Sequence, residues 1–329
     1  MQVVESGSSK FNSFWYELLQ DCGFMSSLYS LSIKEFYKEN VLNNGYSAKD
    51  CSFIIIQNDS PIFGFCGSIV YDGNDRSLLS YEVPSISIEK GEKITKNIEA
   101  LIIKKFSGIL KNSNQKVYFH DFLFDNSLSI IGKYLLKNNA SSKVIYTQVI
   151  DLSLDIVQLK KETRKSYKSL INWGGKNLDI EIFDSCTIAL EHMESYRVLH
   201  RNVSGSSTRS KSSWLKQLQM VKNKEAFLVL GRFKNNLVSA GFFHITHKNC
   251  YYASSASVRE LFDKPIFHSL IWAAINYAKE KGCLHFEMGK QIFQESKGFC
   301  TNKDFGIAKF KSGFGGQLKV FLEIKKEGS

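Results

Sequence analysis

The period of apolar and polar positions changes repeatedly along this 329-residue chain. A 3.6-residue stripe predicts helices near 10–20 and 31–42. Continuous apolar runs at 52–57 (SFIIIQ) and 62–70 (IFGFCGSIV) predict buried strands, with a turn at Asn58-Asp59-Ser60-Pro61. A short strand near 78–83 and a helix near 90–111 follow. The strand KVYFHDFL (116–123), a helix near 126–138 and the strand KVIYTQVIDL (143–152) close this half.

The second half repeats the order. A basic helix is expected over 156–176, then the strand DIEIFD (179–184). ALEHMESYRVLHR (189–201) has a helical period, with Leu190, Met193, Tyr196 and Leu199 on one face. A polar loop at 202–210 leads to a helix at 211–223. Three strands then follow at 226–233, 237–246 and 250–258, turned at Lys234-Asn235-Asn236 and at His247-Lys248-Asn249. A long helix spans Pro265 to Lys281, and Gly282 suits its C′ position. The strand CLHFEMG (283–289) comes next. The end, FGIAKFKSGFGGQLKVFLEIKK, reads as a final β-hairpin in which Lys309 and Lys311 share one strand face and Phe310 takes the other. The expected class is α/β (α+β): two tandem domains, 1–152 and 153–329, each a mixed, mostly antiparallel sheet flanked by helices. The repeat is one of architecture, not of residues.

Charge changes this picture by separating the halves. Residues 1–150 hold 15 Lys+Arg and 15 Asp+Glu, which cancel; residues 151–329 hold 28 and 17, the whole net +11. The excess points the second half toward an anionic partner: a nucleotide diphosphate, CoA, tRNA or acidic lipid. The seven Cys have no CxxC spacing and several lie in apolar runs, so they read as reduced and buried, with neither disulfide nor zinc. No P-loop, GxSxG, HExxH or EF-hand pattern is present, and no metal is expected. The N-terminus lacks a leader pattern, and no apolar run reaches the roughly 20 residues that span a bilayer. A cytoplasmic protein without a transmembrane segment is expected.

Three-strand meander, helix, strand, hairpin resembles the GNAT acyltransferase order. TRKSYKSLINWGGKNLDIEIFD (163–184), FHSLIWAAINYAKEKGCLHFEMG (267–289) and IAKFKSGFGG (307–316) are similar to segments of the Fem-type peptidoglycan aminoacyl transferases. The stretch RKSYKSLINWG looks like a Fem-like branch associated with surface-polysaccharide synthesis. The resemblance covers roughly 150–325; the first half matches by architecture alone. It implies an N-acyltransferase acting on an amine of an amino sugar or a glycan or peptidoglycan precursor, nucleotide-linked or lipid-linked. It implies no permanently bound cofactor, with acyl-CoA or aminoacyl-tRNA as co-substrate. Peripheral membrane contact is compatible with it, and DNA is not an expected partner.

A GNAT-type site needs few side chains. Two central strands splay, a backbone N–H polarises the acyl carbonyl, and a base takes a proton from the amine. The turn that would cradle CoA phosphates is VRELFDKPI (258–266). It contains no glycine, two acidic residues and a proline, which argues against ordinary main-chain cradling and toward a tRNA-borne or unusually held donor. Glu287, in the strand LHFEMG, is the base candidate, because the resemblance places an acidic residue there. Lys311 is the lysine that the resemblance puts near the phosphates or the carbonyl, with Lys309 beside it. His244 and Tyr252, with Tyr251, sit on strands able to face the cleft. Arg209 in SGSSTRS suits bidentate contact with phosphate or carboxylate, or else belongs to a helix-entry loop. Arg164 and Lys168 are four residues apart on a helix and are placed to bind phosphates, or to form a solvated face. The alternative to an enzyme is a non-catalytic basic component of a glycan-assembly system, associated with RNA or a membrane through charge alone; no RNP, KH or OB signature supports it.

Overall fold

The computed structural model describes residues 1–22, 24–73, 75–111, 116–206, 209–246, 248–293 and 301–328. His247, in the second expected hairpin turn, and Cys300 lie outside the described residues. Residues 1–145 with 320–329 form one compact unit, and residues 146–319 form another.

The first unit starts with β1 (Gln2–Glu5), α1 (Phe11–Asp21), α2 (Leu31–Asn43), β2 (Ser47–Asp50), β3 (Phe53–Gln57) and β4 (Ser60–Cys66). It continues with β5 (Ser68–Asp72), β6 (Asp75–Leu79), β7 (Ser85–Glu89), α3 (Lys96–Lys111), β8 (Lys116–Asp121) and α4 (Ile130–Lys137). β3, β4 and β7 pair antiparallel, and β7 meets β8 in parallel at Ser85–Phe119 and Ile86–His120. The last strand, β15 (Gln317–Lys326), pairs antiparallel with β8 from Leu322 to Lys326. One core under this sheet holds Phe53, Phe63, Phe65, Ile102, Phe106 and Phe119; Trp15 and Tyr29 centre a second.

β7 was hidden in the sequence. The strand expected at 78–83 straddles the turn after β6, and the helix expected from 90 starts at Lys96. The reason is that β7 (SISIE) buries its serines along with its isoleucines; Ser85 Oγ donates to the Tyr118 carbonyl at 2.9 Å. Buried serines leave no apolar signal in the sequence, whether bonded like Ser85 or, like Ser87, without a hydrogen-bond partner among the described residues.

The second unit contains β9 (Ser141–Asp151, its residues from 146 on), α5 (Ile156–Glu162), α6 (Lys165–Asn177), β10 (Asp179–Phe183), α7 (Leu190–Ser204) and α8 (Lys211–Lys222). The meander β11 (Ala226–Phe233), β12 (Asn236–Ile245) and β13 (Asn249–Ser257) follows, then α9 (His268–Glu280), β14 (His285–Gln291) and α10 (Asn302–Ser312). The sheet order is β9-β14-β13-β12-β11-β10, with β14 and β13 parallel and all other pairs antiparallel. α9 buries Leu270, Ile271, Ala274, Ile275 and Ala278 in the core beside Phe227, Phe243 and Phe286, as its 3.6-residue stripe requires.

Two expectations fail here. The basic helix of 156–176 breaks into α5 and α6, because Thr163 and Arg164 are extended and the Arg164 N–H donates to the Gly313 carbonyl at 2.9 Å. The first arm of the expected final hairpin is instead α10. Thr301 and Asp304 form a reciprocal capping box that starts this helix. The alternation Lys309-Phe310-Lys311 mimicked a strand.

Candidate active site

β13 and β14 part in the middle of the second unit. They pair only at Asn249–His285, Cys250–Phe286 and Tyr251–Glu287, although β13 runs on to Ser257 and β14 to Gln291. Each strand has a bulge just past the last pair. The β12–β13 register skips Ala253, and the β14–β9 register skips Met288. A bulge increases local twist and bends the strand, so two of them aim the strands apart. The edge of β13 beyond Tyr251 therefore lines a cleft of ≈ 920 Å³, closed by the loop into α9 and by α10.

Lys311, in the last turn of α10, sits at the point of divergence. A Cβ placed on Gly289 would stand 3.1 Å from Lys311 Nζ and 3.7 Å from Tyr251 Oη, and the Tyr252 ring centroid is 5.8 Å from Nζ. Burial pushes the Lys311 ammonium below the ordinary lysine range, and the Glu287 carboxylate partly opposes that. Glu287 is buried on β14 and accepts a hydrogen bond from Thr147 Oγ1 at 3.0 Å. Glu287 lies off the cleft lining, and its charge is felt by the half-buried Lys311 ammonium where the strands separate. Tyr252 lines the same cleft, donating to or accepting from Ser255 Oγ, and burial raises its phenol pKa.

The other candidates are placed elsewhere. Lys309 is one position off the cleft face of α10; being helical, it cannot share a face with Lys311, which corrects the strand reading. Phe310 and Lys311 line the cleft instead. Arg164 caps α6, stacks its guanidinium 5.0 Å from the Tyr167 ring centroid and donates from Nη2 to the Lys309 carbonyl (3.4 Å) and Ser312 Oγ (3.3 Å). Lys168 donates to the Lys161 carbonyl at 3.2 Å, and since Arg164 precedes the helix the two do not form an i,i+4 pair within it. Neither lines the cleft.

Arg209 lies between α7 and α8, over the Trp214 ring at 5.2 Å and 3.4 Å from Gln217 Oε1. It hydrogen-bonds the buried Tyr196, whose hydroxyl is 2.8 Å from Ser254 Oγ on the cleft wall. His244 is buried on β12, off the cleft lining. Its Nδ1 has no hydrogen-bond partner among the described residues, and burial, aided by the Arg209 charge, pushes its pKa down to about 3.

Sequence reasoning missed His268, Gly289, Thr147 and Phe310. His268 opens α9 and lines the cleft, with its ring centroid 4.6 Å from that of Tyr167 and 5.2 Å from that of Phe310. Burial pushes its pKa down to about 4, which keeps it neutral. Nothing in PIFHSL marks it, whereas a glycine in the middle of the strand FEMGK was a readable sign of a bulge or close approach.

Among the described residues no group of three or more His, Cys, Asp or Glu is placed to hold a metal ion. Among them, too, no helix is long and apolar enough to cross a membrane.

The architecture is shared with solved structures. The crystal structure of FemX superposes with a TM-score of 0.71 at 11% identity, over 98% of this chain and 97% of that one. The fold is that of FemX. The structure of L-PGS from Bacillus licheniformis superposes on this chain with a TM-score of 0.60 at 11% identity, covering 98% of this chain and 93% of that one. A tandem GNAT protein from the clavulanic acid biosynthesis pathway matches at 0.56 and 10%, covering 99% and 98%. No family model matches the chain, and no curated protein matches it by sequence. At such identities the likeness concerns the fold.

Proposed function

We propose that this chain is an N-acyltransferase that moves an acyl or aminoacyl group onto an amine of an amino sugar, or of a cell-surface glycan or peptidoglycan precursor. The observation that carries this reading is Lys311, which lines the cleft beyond the last β13–β14 pair, with its ammonium against Gly289 and under the charge of the Glu287 carboxylate. The FemX-like fold agrees with it.

In this reading the donor enters the cleft with its carbonyl toward Lys311. The ammonium stabilises the negative charge that develops on the carbonyl oxygen, an interaction strengthened by the apolar walls of Phe267 and Phe310. The amine nitrogen bonds to the acyl carbon, and its proton passes through water toward Glu287, which is buried behind the cleft lining. The bond to the donor then breaks: C–O for an aminoacyl-tRNA ester, C–S for a CoA thioester. The leaving oxygen or sulfur takes up a proton from Lys311 or from water. Arg259, Lys264 and Lys303 on the cleft lining supply side-chain contacts to donor phosphates, in place of a glycine-rich main-chain cradle. That arrangement suits a tRNA-borne donor and admits CoA. A soluble donor of either kind is consistent with a reaction in the cytoplasm.

The test is direct. The protein is incubated with UDP-amino sugars or lipid-linked glycan precursors and with either aminoacyl-tRNA or acyl-CoA, and acylated product is sought by mass spectrometry. The reading expects product that disappears with Lys311→Ala. A broad panel without product, together with unchanged glycans in a deletion strain, removes it.

A further inference from the structure

The first unit contains a second cavity, of ≈ 480 Å³, that the acyl-transfer reading does not use. One wall is the sheet: Lys49 and Cys51 project beside Ile69 and Tyr71, in the register Lys49–Ile69 of the β2–β5 pair. The other wall is a single face of α3, formed by Leu101, Lys104, Lys105, Gly108 and Ile109 at helical spacing. Three lysines line this groove and no carboxylate does. A fourth cation, Arg76, lies 5.6 Å from the centroid of the Tyr71 ring.

This cluster is a local departure, since positive and negative residues cancel over 1–150. Lys105 has a partner in Glu5 at 3.3 Å, itself 74% exposed. Among the described residues no carboxylate lies within ion-pair distance of Lys49 or Lys104. Like charges gathered on low-dielectric walls focus a positive potential that an anion relieves. Gly108 adds an independent sign. A glycine inside a helix costs about 1 kcal/mol relative to alanine. Nothing lies within 4 Å of a Cβ placed there, so packing does not demand it. Its effect is to leave the groove open between Lys104 and Ile109.

We propose that this groove binds a small amphipathic phosphate: the phosphate or diphosphate between Lys49, Lys104 and Lys105, and an apolar or aromatic body against Ile69, Tyr71, Leu101 and Ile109. The proposal does not rest on the acyl-transfer reading. Lipid phosphates and nucleotides share this chemistry.

Cys51 makes the test local. It lines the groove, half-buried, whereas Cys186 is exposed and serves as an internal reference. Alkylation of each thiol by a neutral maleimide is followed by peptide mass spectrometry. Dodecyl phosphate below its micellar concentration and uridine diphosphate are the two probes; dodecyl maltoside and inorganic phosphate are the controls. One probe is expected to slow Cys51 alkylation by roughly tenfold or more, equivalent to a bound fraction above about 90%, with Cys186 unchanged. The probe acting at lower concentration identifies the body of the ligand. Lys49→Glu/Lys104→Glu, at two exposed positions, and Gly108→Leu, which fills the groove, are each expected to abolish the protection while melting like the parent. Equal protection by dodecyl maltoside, protection that survives both variants, or no protection by either probe overturns the proposal.

Discussion

Lys311 Nζ occupies the space where a side chain on Gly289 would begin: a Cβ there would stand 3.1 Å from the ammonium. Gly289 also has φ +89°, a conformation that L side chains rarely adopt. The backbone conformation in the β14 bulge requires the glycine, and a side chain there would also push the lysine end aside by a few tenths of an ångström. Gly289→Ala is expected to destabilise the protein by about 1–3 kcal/mol through backbone strain, measured by urea unfolding. It is also expected to lower acyl transfer by displacing Lys311. A variant with unchanged turnover would place the working lysine geometry elsewhere.

Lys311→Ala is expected to lower kcat by about 10²–10³, the scale of losing one preorganised charge donor. The pH dependence carries the sign. Burial lowers the Lys311 pKa, so the ammonium is lost, and activity with it, as pH rises through a value below the ordinary lysine range. In Lys311→Arg the cation persists, so any residual activity should keep its plateau to higher pH. An alkaline limb at the same pH in both proteins would assign it to another group.

Glu287→Gln is expected to reduce kcat by about 10²–10⁴, the range for a lost general base. Thr147→Val removes the hydroxyl that donates to Glu287 Oε1. It should cost about 1.5–3 kcal/mol in carboxylate stabilisation and raise the acid limb of kcat/KM while leaving kcat at its plateau nearly intact. If Thr147→Val and Glu287→Gln give equal losses at every pH, the threonine has a role beyond holding the carboxylate.

His244 makes stability depend on acid. Its folded-state pKa is depressed to about 3 by burial, against an ordinary 6.5. Below 6.5 the unfolded chain takes up a proton that the folded chain refuses, so stability falls with pH throughout the window from 6.5 to 3. The loss amounts to about 2 kcal/mol on going from pH 7.5 to pH 5. His244→Phe should lose about that much less over the same interval in chemical denaturation. An identical pH slope in both proteins would mean that the imidazole gains solvent or a partner before it charges.

Much of the fold was legible because burial writes a period into the chain. The meander 226–258 and the stripe of α9 were readable, since each element puts one face in the core. Glu287 and Lys311, the proposed base and cation, were candidates that the sequence offered through resemblance. Their neighbours were not legible. His268, Thr147 and Phe310 come from three different elements, and no local pattern records which side chains a sheet will bring together.

By itself, then, the sequence determined the meander 226–258, the stripe of α9, the neutral and basic halves and the absence of a glycine cradle at 258–266, because these depend on composition and on short-range period. The tertiary structure decided where the chain departs from its period. Two bulges, at Ala253 and Met288, separate β13 from β14. The capping box of Thr301 and Asp304 turns an alternating segment into α10 and carries Lys311 to Gly289. A bulge and a cap each depend on which partner stands opposite, and that partner is distant in sequence or lies outside any hydrophobic pattern.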